Sequence, residues 1–123
     1  MMIVADTSVW AHHIRDSSAD FLQHLNADQV LMHSWVVGEL SLGNLPRRSA
    51  FLEFLKALPP MVEARDEEVM DMIEANKLHG SGIGWVDAHL VAAARLSQAA
   101  LWTRDKRLFA VAQRLGVTAH GLH

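Results

Sequence analysis

The sequence predicts an α/β fold of three layers, helices on both sides of a central parallel sheet of four to five strands. Short apolar runs recur along the chain, each too brief for a stable helix, and longer segments with helix start and stop signals separate them. Strands joined by helical crossovers pair in parallel, and such sheets are covered on both faces. The 123 residues are 50% apolar, enough for one continuous core, so residues 1–123 are expected to form a single domain.

Taken in order, the first strand is Met2 to Ala5, and the helix after it carries His12 and His13 on an exposed face. Val30 to His33 is the second strand, after which Ser34 or a neighbour starts the helix that carries Glu39. Pro46 suits the opening of a helix over Arg47 to Leu58, because its fixed φ matches the first turn, and Pro59-Pro60 ends it. Met61 to Ala64 is a third strand. Asp66 caps the next helix, with Glu67 and Glu68 in the first turn, where the helix dipole favours negative charge. Gly80, Gly82 and Gly84 break the chain before a helix from about Trp85 to Gln98. Ala100 to Thr103 is the fourth strand, the helix begun near Asp105 stops at Gly116, and Val117 to His120 is the last strand.

Composition removes several functions. With no cysteine there are no disulfides, thiol nucleophiles or Cys-based zinc sites, and the chain suits a reducing cytoplasm. No stretch approaches a membrane span and the N-terminus has no basic leader, so a soluble cytoplasmic protein without membrane attachment is expected. The net charge of −3 means that any nucleic-acid binding must come from a local basic patch or a dimer groove. The eight histidines show no metal-ligand spacing of the HExxH kind, although His89 stands two residues after an acid of interest. The four tryptophans and six methionines read as core or dimer contacts; Trp10 and Trp85, beside the acidic motifs, are the two candidates for base stacking.

Asp6, Glu39, Asp87 and Asp105 lie in or against apolar segments scattered along the chain. Carboxylates placed there need a cation or several donors to offset lost hydration. Asp6 and Asp105 each follow a strand and open a helix, so simple capping accounts equally for either. Glu39 shares a helical face with Trp35 and Val36, where a solvated glutamate is out of place. Asp87 stands in the first turn after the glycines, with Val86, Leu90, Val91 and Ala94 marking a helix packed on the sheet. Brought together, the four would repel one another, by roughly 3 kcal/mol for two charges about 5 Å apart at an effective dielectric near 20. A hard divalent cation such as Mg²⁺ or Mn²⁺ relieves that repulsion and prefers oxygen ligands.

The order of motifs resembles the PIN-domain ribonucleases, in particular the VapC-type toxins. The likeness runs through Val4-Ala5-Asp6-Thr7-Ser8-Val9, Val37-Gly38-Glu39-Leu40, Gly82-Ile83-Gly84-Trp85-Val86-Asp87-Ala88-His89-Leu90 and Trp102-Thr103-Arg104-Asp105-Lys106-Arg107-Leu108. The resemblance implies a PIN-like fold over 1–123, an acidic quartet of Asp6, Glu39, Asp87 and Asp105, and Thr7 or Ser8 as the hydroxyl that supports the first aspartate. It implies Mg²⁺-dependent hydrolysis of RNA, with Mn²⁺ as an alternative ion, a cognate antitoxin protein as partner, a homodimer, and transfer or ribosomal RNA as substrate. Arg104 and Lys106, which flank Asp105, are the expected RNA contacts. One departure stands out: where many members carry a further acid or amide two residues after the fourth aspartate, this chain has Arg107.

Three other readings compete. A receiver-like phosphoacceptor module also gathers aspartates around Mg²⁺, but it calls for an acidic pair after the first strand and an aspartate after the third; here stand a single Asp6 and Glu63-Ala64-Arg65. A haloacid-dehalogenase-type phosphatase needs a second aspartate at position 8, which is serine. A non-catalytic PIN scaffold would have no use for all four acids.

Overall fold

A computed structural model of the chain describes residues 1–121. Four strands, β1 (Ile3–Ala5), β2 (Val30–Leu31), β3 (Ala100–Thr103) and β4 (Ala119–Gly121), form one sheet in the order β2-β1-β3-β4. Every pairing is parallel: Ile3 faces Val30 on one side and Ala100 on the other, and Leu101 faces Ala119. Seven helices among the described residues connect them: α1 (Thr7–Asp16), α2 (Ala19–Asn26), α3 (Ser34–Ser41), α4 (Arg48–Ala57), α5 (Asp66–Ala75), α6 (Trp85–Ser97) and α7 (Lys106–Arg114).

The third expected strand, Met61 to Ala64, does not form. Only Pro60 bridges Met32, through Met32 N–H to the Pro59 carbonyl at 2.8 Å and Met61 N–H to the Met32 carbonyl at 3.3 Å. No further ladder pairing follows in this segment, and Val62 N–H donates to the Ser97 hydroxyl at 2.8 Å. The chain nonetheless steps outward from β1 to β2 to this bridge, then returns across the sheet to β3 and on to β4. Right-handed crossovers in opposite directions put α1 to α4 on one face and α5 to α7 on the other. The expected three layers are therefore present.

Local chemistry explains most boundaries. Ser17 adopts φ 48 and ends α1, and the Ser18 hydroxyl caps α2, so two helices occupy the first crossover. α3 is capped by His33, whose Nδ1 accepts from Trp35 N–H at 3.0 Å. Pro46 stands outside α4, which begins at Arg48 after Arg47 takes a left-handed turn. α7 stops just before Gly116, whose φ of 79 a side chain would resist. α6 is the central helix: Ala88 to Ala94 are all buried, because it is covered by β3 and α5 together. Trp10 lies wholly in the core, edge-on to Phe21 at 4.9 Å between ring centroids, which removes it as a base-stacking candidate. No described helix is long and apolar enough to cross a membrane.

Candidate active site at the carboxyl edge of the sheet

The chain leaves β1 toward β2 and comes back to pair on β1's other side as β3. That reversal opens a crevice beyond the carboxyl ends of β1 and β3, where ligands of open parallel sheets bind. Asp6 follows β1 and Asp105 follows β3, so both stand at its mouth.

Asp6 is buried, 4% exposed, and it caps α1 by accepting from Val9 N–H at 3.1 Å. The Ser8 hydroxyl donates to the same oxygen at 2.6 Å, and the Thr103 hydroxyl donates to Oδ2 at 2.5 Å. Those three donors hold the carboxylate in one orientation and compensate part of its lost hydration. Both hydroxyls are shared across the crevice. Ser8 also accepts from Arg104 N–H at 3.1 Å, and Thr103 accepts from Asp105 N–H at 2.9 Å. Asp105 is exposed and caps α7, its Oδ1 accepting from Arg107 N–H at 2.8 Å and Leu108 N–H at 3.2 Å.

The other two acids arrive from opposite faces. Asp87 lies in the first turn of α6, where Oδ2 accepts from Gly84 N–H at 3.3 Å, the reciprocal contact of a capping box. Glu39 extends from α3 and accepts the Thr7 hydroxyl at 2.6 Å, so it is tied to the residue after Asp6. It is exposed, contrary to the expectation of an apolar setting: α3 buries Val36 and Leu40, and Glu39 stands beside that stripe. Thr7 and Ser8 thus divide the support, one for Glu39 and one for Asp6.

Capping and clustering are both true of Asp6 and Asp105, since a cap needs only part of the carboxylate. Burial raises the Asp6 carboxyl above its usual range; bonds from Ser8, Thr103 and Val9 oppose the rise, and the Asp105 charge adds to it. Asp87 is pushed up to about 6, first by burial and then by the charges of Asp6, Asp105 and Glu39, against the Gly84 contact. Four acids from distant segments therefore share one electrostatic site, and Asp87 takes the strain of sharing.

The donor set suits a hard cation, since all four groups offer oxygen and none offers sulfur or nitrogen. Among the described residues no three His, Asp or Glu side chains converge closely enough to wrap one ion.

Neighbouring residues separate into near and far. Arg104 lies close enough to Asp16 to help lower that carboxyl, after the larger effect of Arg15, and Lys106 is exposed in the first turn of α7. His89 is buried behind the crevice, between Trp35 and Trp85 at centroid distances of 4.3 and 4.7 Å, with Nε2 3.1 Å from Asp66 without hydrogen-bond alignment. Two positions from Asp87 is over half a helical turn, so His89 looks away from the acids. Trp85 remains 38% exposed. Thr103 is the residue that sequence reasoning missed. Its signal was faint, a hydroxyl at the last strand position two residues before Asp105.

Three comparisons with known proteins bear on this geometry. A sequence model of the PIN domain matches residues 3–114. Ribonuclease VapC32 of Mycobacterium tuberculosis, in strains CDC 1551 / Oshkosh and H37Rv alike, is 38% identical over 117 residues, covering 94% of this chain and 94% of the relative. The crystal structure of PAE2754 from Pyrobaculum aerophilum superposes with a TM-score of 0.61 at 17% identity, over 97% of this chain and 83% of that one, a likeness that concerns the fold alone.

Proposed function

The chain belongs to the PIN-domain family, and on that premise we propose that it is a divalent-metal-dependent endoribonuclease, the toxin of a toxin-antitoxin pair. The observation that carries the reading is the gathering of Asp6, Glu39, Asp87 and Asp105 at the carboxyl edge of the sheet, where burial and the neighbouring charges push the Asp87 carboxyl up to about 6. A site that crowds acids at a cost to its own ionisation is a site built for a cation. Asp6 and Asp87 are the principal ligands, Asp105 completes the site directly or through water, and Glu39 binds the ion or orients the attacking water. When bound, Mg²⁺ or Mn²⁺ lowers the pKa of water and offsets charge on the phosphate during in-line displacement.

The protein's own part is orientation. Ser8 and Thr103 fix the Asp6 carboxylate, Thr7 fixes Glu39, and the caps fix Asp87 and Asp105, so no side chain needs to reorganise as the phosphodiester arrives. The kinship with a named ribonuclease supports RNA as substrate. A homodimer, a protein antitoxin that covers the crevice and a cytoplasmic setting complete the proposal.

The test is cleavage of RNA by the purified protein with Mg²⁺, Mn²⁺ or EDTA. Cleavage should require the metal, and Asp6→Asn and Asp87→Asn should each lower it by more than about 100-fold while the protein stays folded, since each removes a ligand charge at constant size. Metal-independent cleavage, or full activity in either folded variant, would overturn the assignment.

A further inference from the structure

Along α7, Lys106, Arg107 and Arg114 line with Ser81 a cavity of about 370 Å³, whose lining Ala110 and Val111 complete. Residues 107, 110, 111 and 114 recur at helical spacing, so the two guanidinium groups stand on one face of α7, about 10 Å apart along its axis. Neither is loosely placed. The Arg107 side chain lies over Gly82, where an added Cβ would come within 2.6 Å of its Cδ, and Arg114 donates to the Asn76 carbonyl.

The charge pattern is local and one-sided. Segments 76–84 and 106–116 contain no Asp or Glu, yet they hold Lys77, Lys106, Arg107 and Arg114 in a chain of net charge −3. The Ser81 hydroxyl is buried and has no hydrogen-bond partner. The hollow therefore gathers one unpartnered hydroxyl and three cations, of which Arg114 also donates to the Asn76 carbonyl.

We propose that this cavity is a phosphate subsite for the RNA strand: Lys106, Arg107 and the Ser81 hydroxyl take a phosphate flanking the scissile one, and Arg114 takes the next. Arginine forks match phosphate oxygens, and cations spaced along a helix match a repeating anion. The position is suited to delivery. Arg107 N–H bonds the Asp105 carboxylate, and the Gly82–Gly84 loop leads directly into the turn that holds Asp87, so a strand seated here runs between the two acids. The proposal rests on the endoribonuclease reading and explains why arginine occupies position 107, where many of the family carry an acid or amide.

The experiment follows a labelled single-stranded RNA by fluorescence anisotropy in EDTA at graded salt, with steady-state cleavage in Mn²⁺ as a second arm. Arg107→Gln and Arg114→Gln should each weaken binding several-fold and flatten the slope of log K against log salt by about 0.7, the value for one contact to a single strand. KM should rise while kcat holds, and Arg107→Lys should restore the slope. Melting curves confirm that each variant is folded, and Lys106→Gln serves if one is not. Unchanged slope and KM in variants of a protein that still binds RNA overturn the subsite and leave the nuclease reading standing. A wild type that neither binds nor cleaves RNA overturns both. Loss of kcat alone puts Arg107 at the reacting phosphate and overturns the flanking role. Variants that keep RNA affinity but lose binding of poly-glutamate assign the cavity to an acidic protein segment and overturn the proposal too.

Discussion

Thr103 and Asp6, 97 positions apart in sequence, are joined by a buried hydrogen bond from hydroxyl to carboxylate. The same Thr103 oxygen accepts from Asp105 N–H, so one side chain registers the first acid against the last. Thr103→Val keeps the shape and removes both contacts. Stability should fall by roughly 1–3 kcal/mol, because a buried N–H and a carboxylate each lose a partner. Cleavage should fall about 10- to 100-fold, the usual effect of removing a group that orients a metal ligand. Denaturant melts and rates together check this, and full activity in a destabilised Thr103→Val would limit Thr103 to a structural role.

The pH response of the metal-free protein follows from Asp87. Its folded pKa, pushed up to about 6, exceeds the unfolded value of about 4, so the native state binds more protons. That contribution is complete below pH 4 and is lost as pH rises through 6. Asp87→Asn should therefore melt higher than wild type in EDTA at pH 7, with the difference closing toward pH 4. Mg²⁺ should restore wild type by about 2.7 kcal/mol at a hundredfold excess over Kd and leave the variant nearly unchanged. A wild type more stable than Asp87→Asn in EDTA at pH 7 would contradict the crowding.

His33 acts in the opposite sense. Burial lowers its pKa, the Glu63 charge works against that and His89 adds to it. Its Nδ1 must be unprotonated to cap α3. The folded state binds fewer protons here, so stability is present above pH 6.5 and is lost as pH falls through the folded value. His33→Asn keeps a capping acceptor without the titration and should flatten this acid loss. Melts in the Asp87→Asn background separate the two effects, and an identical acid slope with and without His33 would refute the assignment.

Gly82 has φ +88 and no room for a Cβ beside Arg107. Gly82→Ala should cost about 1–2 kcal/mol from backbone strain alone, and more from the contact. Trimming Arg107 to Ala should relieve the second part only. A double-mutant cycle measures the coupling, and strict additivity would mean that the arginine does not rest on the glycine.

Much of this was legible in the chain, for identifiable reasons. Three-residue and four-residue apolar runs located β1 and β3 because both are buried throughout, and the Gly80 to Gly84 break located α6. Met61 to Ala64 misled because a short apolar run does not say how far a partner strand extends beside it, and β2 ends at Leu31 with a single bridge from Met32 to Pro60. The reason that pointed to the four acids is only half right. Asp6 is buried and Asp87 is held partly from water, but Glu39 and Asp105 are exposed, and only the fold shows that their charges reach Asp87. Thr103 and the seat of Arg107 on Gly82 were invisible because both depend on contacts between segments far apart in sequence.

The pairing of β1 with β3 also sets a schedule for synthesis. Asp6 is translated 97 positions before Thr103, which with Asp105 completes its surroundings. Closing so long a loop is slow, and a chain emerges from the ribosome N-terminus first. A nascent or prematurely ended chain that lacks β3 carries three of the four acids and lacks the Thr103 bond to the first. The acidic site therefore cannot assemble until β3 has been translated.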